Sequence, residues 1–363
     1  MNYMDEFRDR QVVLGLADRI KKLTAGRTEP MTFMEVCGTH TMAIYQYGIR
    51  SLLPPGVRLI SGPGCPVCVT PNGYIDRAIA FSRLSGIIIA TFGDMVRVPG
   101  SSSSLMEERA RGADVRIVYS PLDAVAIAEK NPDRRVIFLG VGFETTAPAI
   151  AGSILTAAAK GISNYLVLAA HKTIPLPMEI LSSDPELSID GYICPAHVSA
   201  IIGAEAYRQL AEKRGIPCVV TGFEPTDMMQ GVEMLVCQVV EGRSSVEIQY
   251  SRVVKWEGNR KAQSVIAEVF SVCDSEWRGI GVIPESGLEI GDKYSAFDAE
   301  KNIPVSVEEP REHQGCRCGD VLKGKTSPFD CPLFATVCMP ESPVGACMVS
   351  SEGTCAAAYK YGR

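Results

Sequence analysis

The sequence predicts an α/β fold: two similar doubly wound lobes with parallel sheets, plus a third domain that carries a cysteine-rich tail. Three observations lead there. Apolar runs of five to seven residues alternate with helical stretches from about residue 52 to 240, the pattern of a parallel sheet covered on both faces. Two segments, CPVCVT (65–70) and CPAHVS (194–199), resemble one another. Gly86 and Gly215 open strands at the same offset from Cys65 and Cys194, as an internal duplication would have it. Beyond Gly279 the chain is rich in Gly, Pro and Ser yet holds six cysteines between 316 and 355. These features place a first lobe at 52–140 and a second at 141–238. The third domain is then 1–51 together with 239–363.

Residues 5 to 24 read as an amphipathic helix, with Phe7, Val13, Leu16, Ile20 and Leu23 spaced by threes and fours and Gly26 ending it. Strands are expected at VRLIS (57–61), GIIIATF (86–92), VRIVYS (115–120), RVIFLGV (135–141), NYLVLAA (164–170) and IPCVVTG (216–222). Helices fall between them at 74–84, 122–130 and 199–215. After residue 240, RSSVEIQYSRVVKWEGN offers further strands and AQSVIAEVFSVCD (262–274) reads as a helix. The last eighty or so residues lack periodicity and bury little apolar surface, so something other than packing should organise them.

Composition narrows the function. With 46 % apolar and 21 % charged residues, a formal net charge of −6 and a pI near 5.5, the chain lacks the clustered positive field that nucleic acid requires. Its N-terminus, MNYMDEFRDR, has no apolar signal core, and its longest apolar runs are too short to span a bilayer. No nucleic-acid or membrane partner is expected, and a cytoplasmic location is. Thirteen cysteines in a reducing compartment point to metal binding or redox chemistry rather than structural bridges.

The tail cysteines Cys316, Cys318, Cys331, Cys338, Cys347 and Cys355 form a C-x-C followed by gaps of 12, 6, 8 and 7 residues. Zinc prefers paired C-x2-4-C knuckles, which are missing here. A four-iron cluster accepts wider spacing and needs four thiolates, so six cysteines leave two for a redox pair. Spacing alone does not say which four. Near the N-terminus, CGTHT (37–41) sets Cys37 in a polar turn ahead of a helix, where free N–H groups favour a thiolate and His40 could orient or deprotonate it. A capping threonine beside a packed cysteine reads the same residues equally well. SGPGCPVC (61–68) is compatible with a bridge, half a metal site or a reactive dithiol. GVGFETT (140–146) has an incomplete G-x-G pattern, and no Walker-type loop or protease signature is present.

Taken together, CGTHT, GPGCPVC (62–68), FGDMVRVPG (92–100), GFETTAP (142–148), HKTIPLP (171–177), CPAHVS, TGFEP (221–225) and the six-cysteine tail closely resemble the HypD family of NiFe hydrogenase maturation factors, over nearly the whole chain. The resemblance implies a scaffold on which an Fe(CN)2(CO) unit is built for the hydrogenase large subunit. The implied partners are a HypC-like small chaperone that shares the iron and a HypE-like cyanide donor. Carried over, Cys37 would hold iron, and Cys65 and Cys68 would be a dithiol that ligates iron or supplies electrons. His40, Thr39 and Thr41 would line the cleft, with Glu144 and His197 as polar neighbours. The tail is similar to that of ferredoxin:thioredoxin reductases. On that likeness Cys316, Cys331, Cys338 and Cys355 would bind a 4Fe-4S cluster, while Cys318 and Cys347 would form the redox disulfide, which makes the third domain the iron–sulfur domain. The first rival reading is a freestanding iron–sulfur thiol–disulfide reductase. The second is a non-catalytic interaction protein with zinc in its tail.

Overall fold

Eleven strands occur among the described residues, 5–362, of the computed structural model. In chain order they are β1 (Met31–Glu35), β2 (Val57–Ser61), β3 (Ile87–Thr91), β4 (Val115–Ile117), β5 (Arg135–Gly142), β6 (Tyr165–Lys172), β7 (Gly191–Pro195), β8 (Cys218–Thr221), β9 (Val246–Ile248), β10 (Phe270–Trp277) and β11 (Gly281–Ile290). Residues 1–4 of the expected third domain, and Arg363, lie outside the described residues.

The strands make two sheets, ordered β2-β1-β7-β8-β9 and β10-β11-β6-β5-β3-β4. The first is parallel throughout. In the second, β6, β5, β3 and β4 are parallel, and the β10–β11 ribbon joins antiparallel to β6. Numbered within its own sheet, the first runs 2-1-3-4-5 and the parallel part of the second 2-1-3-4, doubly wound orders whose switch point lies between the first and third strands. The expected pair of similar α/β units therefore recurs as topology.

Its boundaries do not follow the expected ones. β2 belongs to one sheet and β3–β5 to the other, so 52–140 divides between them, as does 141–238. The span 1–51 with 239–363 is divided too: β1 sits inside the first sheet, while β10 and β11 extend the second. The second sheet's strands β3–β6 are inserted between β2 and β7 of the first. Alternation of strand and helix looks the same whichever sheet a strand joins, so sequence periodicity carries no signal of this nesting. CPVCVT follows β2 and CPAHVS begins at the end of β7, strands of one and the same sheet.

Local structure follows composition. All five residues of β3 are buried, as are seven of eight in β5, which is why these apolar runs were readable. The N-terminal helix, Arg10–Leu23, is capped by Asp9, whose carboxylate accepts from the N–H groups of Gln11 and Val12. It lays Val13, Leu16 and Ile20 against the first sheet together with helix Pro225–Val240. The expected helix 262–274 ends at Val269, and Phe270–Trp277 is a strand. A separate cluster joins Met34, Tyr192 and Val220 of the first sheet to Val36, Phe143, Trp277, Cys65, Cys68, Cys318 and Cys347. Among the described residues no helix is long and apolar enough to cross a membrane.

Candidate functional site

Both switch points present their strand ends to this shared cluster. Cys37 follows β1, and His197 follows β7, at the first; Glu144 follows β5 at the second. Cys65 follows β2, the neighbour of β1. The Gly62–Cys65 loop lies directly on the Cys37 backbone. Gly38 N–H donates to Gly64 O at 2.9 Å, and Gly62 N–H to Glu35 O at 2.7 Å. A Cβ on Gly64 would stand 2.5 Å from Cys37 Cα, a separation only glycine permits. The two glycines of GPGC thus bring the two cysteine segments together.

Cys65 and Cys68 are joined as a disulfide. Pro66 takes the first position of the short helix Pro66–Val69, and Cys65 Sγ accepts the Cys68 N–H at 3.2 Å. Both sulfurs are buried. Cys68 Sγ lies 3.9 Å from Ala346 O, next in sequence to Cys347. Cys347 in turn is 2.9 Å, sulfur to sulfur, from Cys318. The C-x-x-C loop therefore reaches the tail at the backbone beside Cys347.

Cys37 caps helix Gly38–Gln46 with extended backbone. Its surroundings do not favour a thiolate: burial, then the Glu352 carboxylate, pushes the thiol up to about 12, against the N–H groups of His40 and Thr39. The expected N–H groups are present, but desolvation outweighs them. His40 does not act as its base either. The imidazole Nε2–H donates to Thr221 O at 2.8 Å and Gly222 O at 3.2 Å, and burial lowers its pKa to about 4. Its Nδ1 has no partner among the described residues. The ring packs on Phe223, with His197 on Phe223 as well, at centroid distances of 4.8 and 4.3 Å. Thr39 Oγ1 donates to Glu352 at 2.6 Å, and Thr41 Oγ1 to Glu35 at 2.5 Å.

Two carboxylates of this site, Glu35 and Glu352, escaped the sequence reading. Glu35 is fully buried. It accepts from Thr41 and from Cys37 N–H, and burial raises it to about 7. The available signal was a glutamate inside an apolar strand, MTFME. Glu352 had none, because it reaches Thr39 from 313 residues away.

Glu144 is buried, with Oε1 accepting Ile174 N–H at 2.9 Å and Oε2 unpartnered among the described residues. Burial raises it from 4.5 to about 7. The folded state therefore keeps a proton that the unfolded chain releases near 4.5. The resulting stability is complete below that pH and is lost as pH rises through about 7. Glu144→Gln is expected to flatten this slope and to be about 3 kcal/mol more stable above neutrality. Urea unfolding from about pH 5 to pH 8 measures it, and identical slopes for both proteins would refute it.

All six tail cysteines line one pocket with Val321, Leu333 and Phe334. Among the described residues no three His, Cys, Asp or Glu side chains converge as a single-ion site. A four-iron cluster makes a different demand, one thiolate per iron, so its donors stay apart around an apolar cavity. Six thiols around one apolar pocket fit such a group. Within the set, Cys318 is the thiol held well below the usual range, by hydrogen bonds from Cys316 and then Cys347.

A family model described as HypD, "Hydrogenase formation hypA family", matches residues 11–362. The chain is 48 % identical to "Hydrogenase maturation factor HypD2" of Bradyrhizobium diazoefficiens, an alignment covering 100 % of this chain and 97 % of that protein. It is 46 % identical to "Hydrogenase maturation factor HypD" of Escherichia coli, over 99 % of this chain and 98 % of that one. Identity to the Rhodobacter capsulatus protein of the same description is also 46 %, with 100 % and 98 % covered.

Proposed function

The chain belongs to the HypD family of hydrogenase maturation factors, and from that premise we propose that it is the scaffold on which the Fe(CN)2(CO) unit of a NiFe hydrogenase is assembled. The observation that carries this reading is the meeting of Cys37 with the Cys65–Cys68 loop through Gly62 and Gly64, at a doubly wound switch point where ligands bind. Iron carrying CO and cyanide is the cargo, and soft thiolates suit it better than carboxylates. Cys37 serves as its principal ligand, with Cys65 and Cys68 beside it. Thr39, Thr41, His40 and His197 shape the cleft around it. His40 does so as a fixed neutral ring.

Oxidation of the Cys65/Cys68 dithiol to its disulfide releases two electrons and two protons for ligand transfer to iron. The Cys318/Cys347 pair restores it by exchange: a Cys318 or Cys347 thiolate attacks one sulfur of the Cys65–Cys68 bond, and the second thiol of the tail pair closes its own disulfide as the dithiol leaves. The 3.9 Å approach of Cys68 to the residue beside Cys347 supports this order. Cys316, Cys331, Cys338 and Cys355 would hold a 4Fe-4S cluster, which would supply electrons singly. A HypC-like chaperone and a HypE-like cyanide donor complete the assembly, which acts in the cytoplasm.

Infrared spectra of protein isolated anaerobically with its small partner test the reading. Bands of iron-bound CO and cyanide are expected from the native chain and none from Cys37→Ala. Bands retained by Cys37→Ala would remove Cys37 as the ligand. Their absence from the native complex would leave the thiol–disulfide reductase reading in its place.

A further inference from the structure

The turn joining β10 to β11 touches both cysteine segments. Arg278 N–H donates to Val69 O, and its Nε to Thr70 O, both at 2.9 Å, just beyond Cys68. On the other side Gly279 lies on Gly319, so close that a Cβ there would strike Gly319 Cα. The guanidinium is thereby carried into a cavity of about 280 Å³ whose lining includes Asn72, Arg311, Cys316 and Cys318. Only 6 % of Arg278 is exposed. The acid that pairs with it, Glu312, stands 3.4 Å away and is half exposed.

Two polar atoms of this cavity have no partner among the described residues: Arg278 Nη2 and Asn72 Oδ1. The Asn72 amide is oriented by its NH2, which donates to Arg311 O, so the free atom is the acceptor. A buried cationic donor and a buried amide acceptor each cost free energy when unmatched. Together they suit a ligand that offers a carboxylate to the guanidinium fork and a peptide N–H to the amide oxygen. Both cysteines of the C-x-C line the cavity.

We propose that this cavity admits a small acidic peptide thiol as the reductant of the Cys318–Cys347 pair. The inference rests on the assignment of that pair as the redox disulfide. The ligand's thiolate attacks Cys318 Sγ and expels Cys347 as thiolate. A second peptide thiol then resolves the mixed disulfide, so two peptide thiols become one peptide disulfide and the protein gains two thiols. Arg278 is a positioning residue that holds the carboxylate.

Glutathione and its diethyl ester share one thiol and one peptide and differ in their carboxylates. With the oxidised holoprotein, trapping of new Cys318 and Cys347 thiols followed by mass spectrometry gives each rate, normalised to that on a free disulfide. Glutathione is expected to be about tenfold faster than its ester, the worth of one charge-assisted pair. Arg278→Gln should erase the preference and Arg278→Lys restore part of it, while neutral dithiothreitol reduces all three proteins alike. Equal normalised rates for acid and ester on the native chain would overturn the port while leaving the redox pair standing. A pair that never takes up two electrons from any reductant overturns the redox assignment and the port with it.

Discussion

Serine at position 65 or 68 is expected to abolish hydrogenase maturation in cells while leaving the fold largely intact. The two effects separate because the loop closed by Cys65 and Cys68 is so short. A cross-link over three positions restricts the unfolded chain by only about 2 kcal/mol. A serine hydroxyl buried in place of either sulfur adds a further penalty of about 1–3 kcal/mol. A chain of 363 residues with four buried apolar clusters among the described residues withstands that loss. Function does not, because two-electron exchange needs both sulfurs and a hydroxyl can neither replace a soft ligand nor form a disulfide. Complementation of a strain lacking its own gene, read as hydrogenase activity, should fall to background for both variants, with circular dichroism unchanged. Maturation at near-native levels in either variant would mean that the loop serves only to position Cys37.

The parts of this molecule legible in its sequence are those whose physics is local. β3, β5 and β6 are buried on both faces, and their continuous apolar runs announce them. β10 and β11 were not legible because their ribbon is open to solvent on one face. Val272 and Val282 are exposed on it, Gly and Pro interrupt it, and Phe270 continues without a break from a helix. β1 is only five residues long, too short to stand out beside the motif that follows it. In the site, cysteines announced themselves by their number and by their spacing in short motifs and in the tail. The protonation of Cys37 and the orientation of His40 were not readable, because each is fixed by the folded surroundings: burial, then Glu352, for the first, Thr221 and Gly222 for the second. The expectation of a thiolate failed on desolvation, which a linear sequence does not display.

Replacing Cys316, Cys331, Cys338 and Cys355 together by alanine is expected to bleach the protein and release its tail. From Cys316 onward the regular elements are short: helices Cys318–Leu322 and Thr354–Tyr361 and two three-residue turns, Pro328–Asp330 and Ala346–Met348. Such pieces are too short to hold themselves by backbone hydrogen bonding. Their apolar contribution is a modest set that includes Val321, Leu322, Met348 and Val349. A group ligated by four thiolates from four separate turns would tie them into one body, and its binding free energy would then be folding free energy. The segment 304–313, which leads into the tail, has no regular structure. It is strapped to the body through hydrogen bonds of Ser101 with Arg311 and of Ser102 with Glu308. Without the four ligands, limited proteolysis should cut within this strap and yield a stable fragment ending near it, whereas the native holoprotein resists. Cys318→Ser with Cys347→Ser provides the internal comparison: it should keep the brown colour and the protease resistance and lose only the exchange with Cys65 and Cys68. A quadruple variant as coloured and as resistant as the native chain would place the iron elsewhere, and a colourless native protein containing one zinc would replace the cluster with a structural ion.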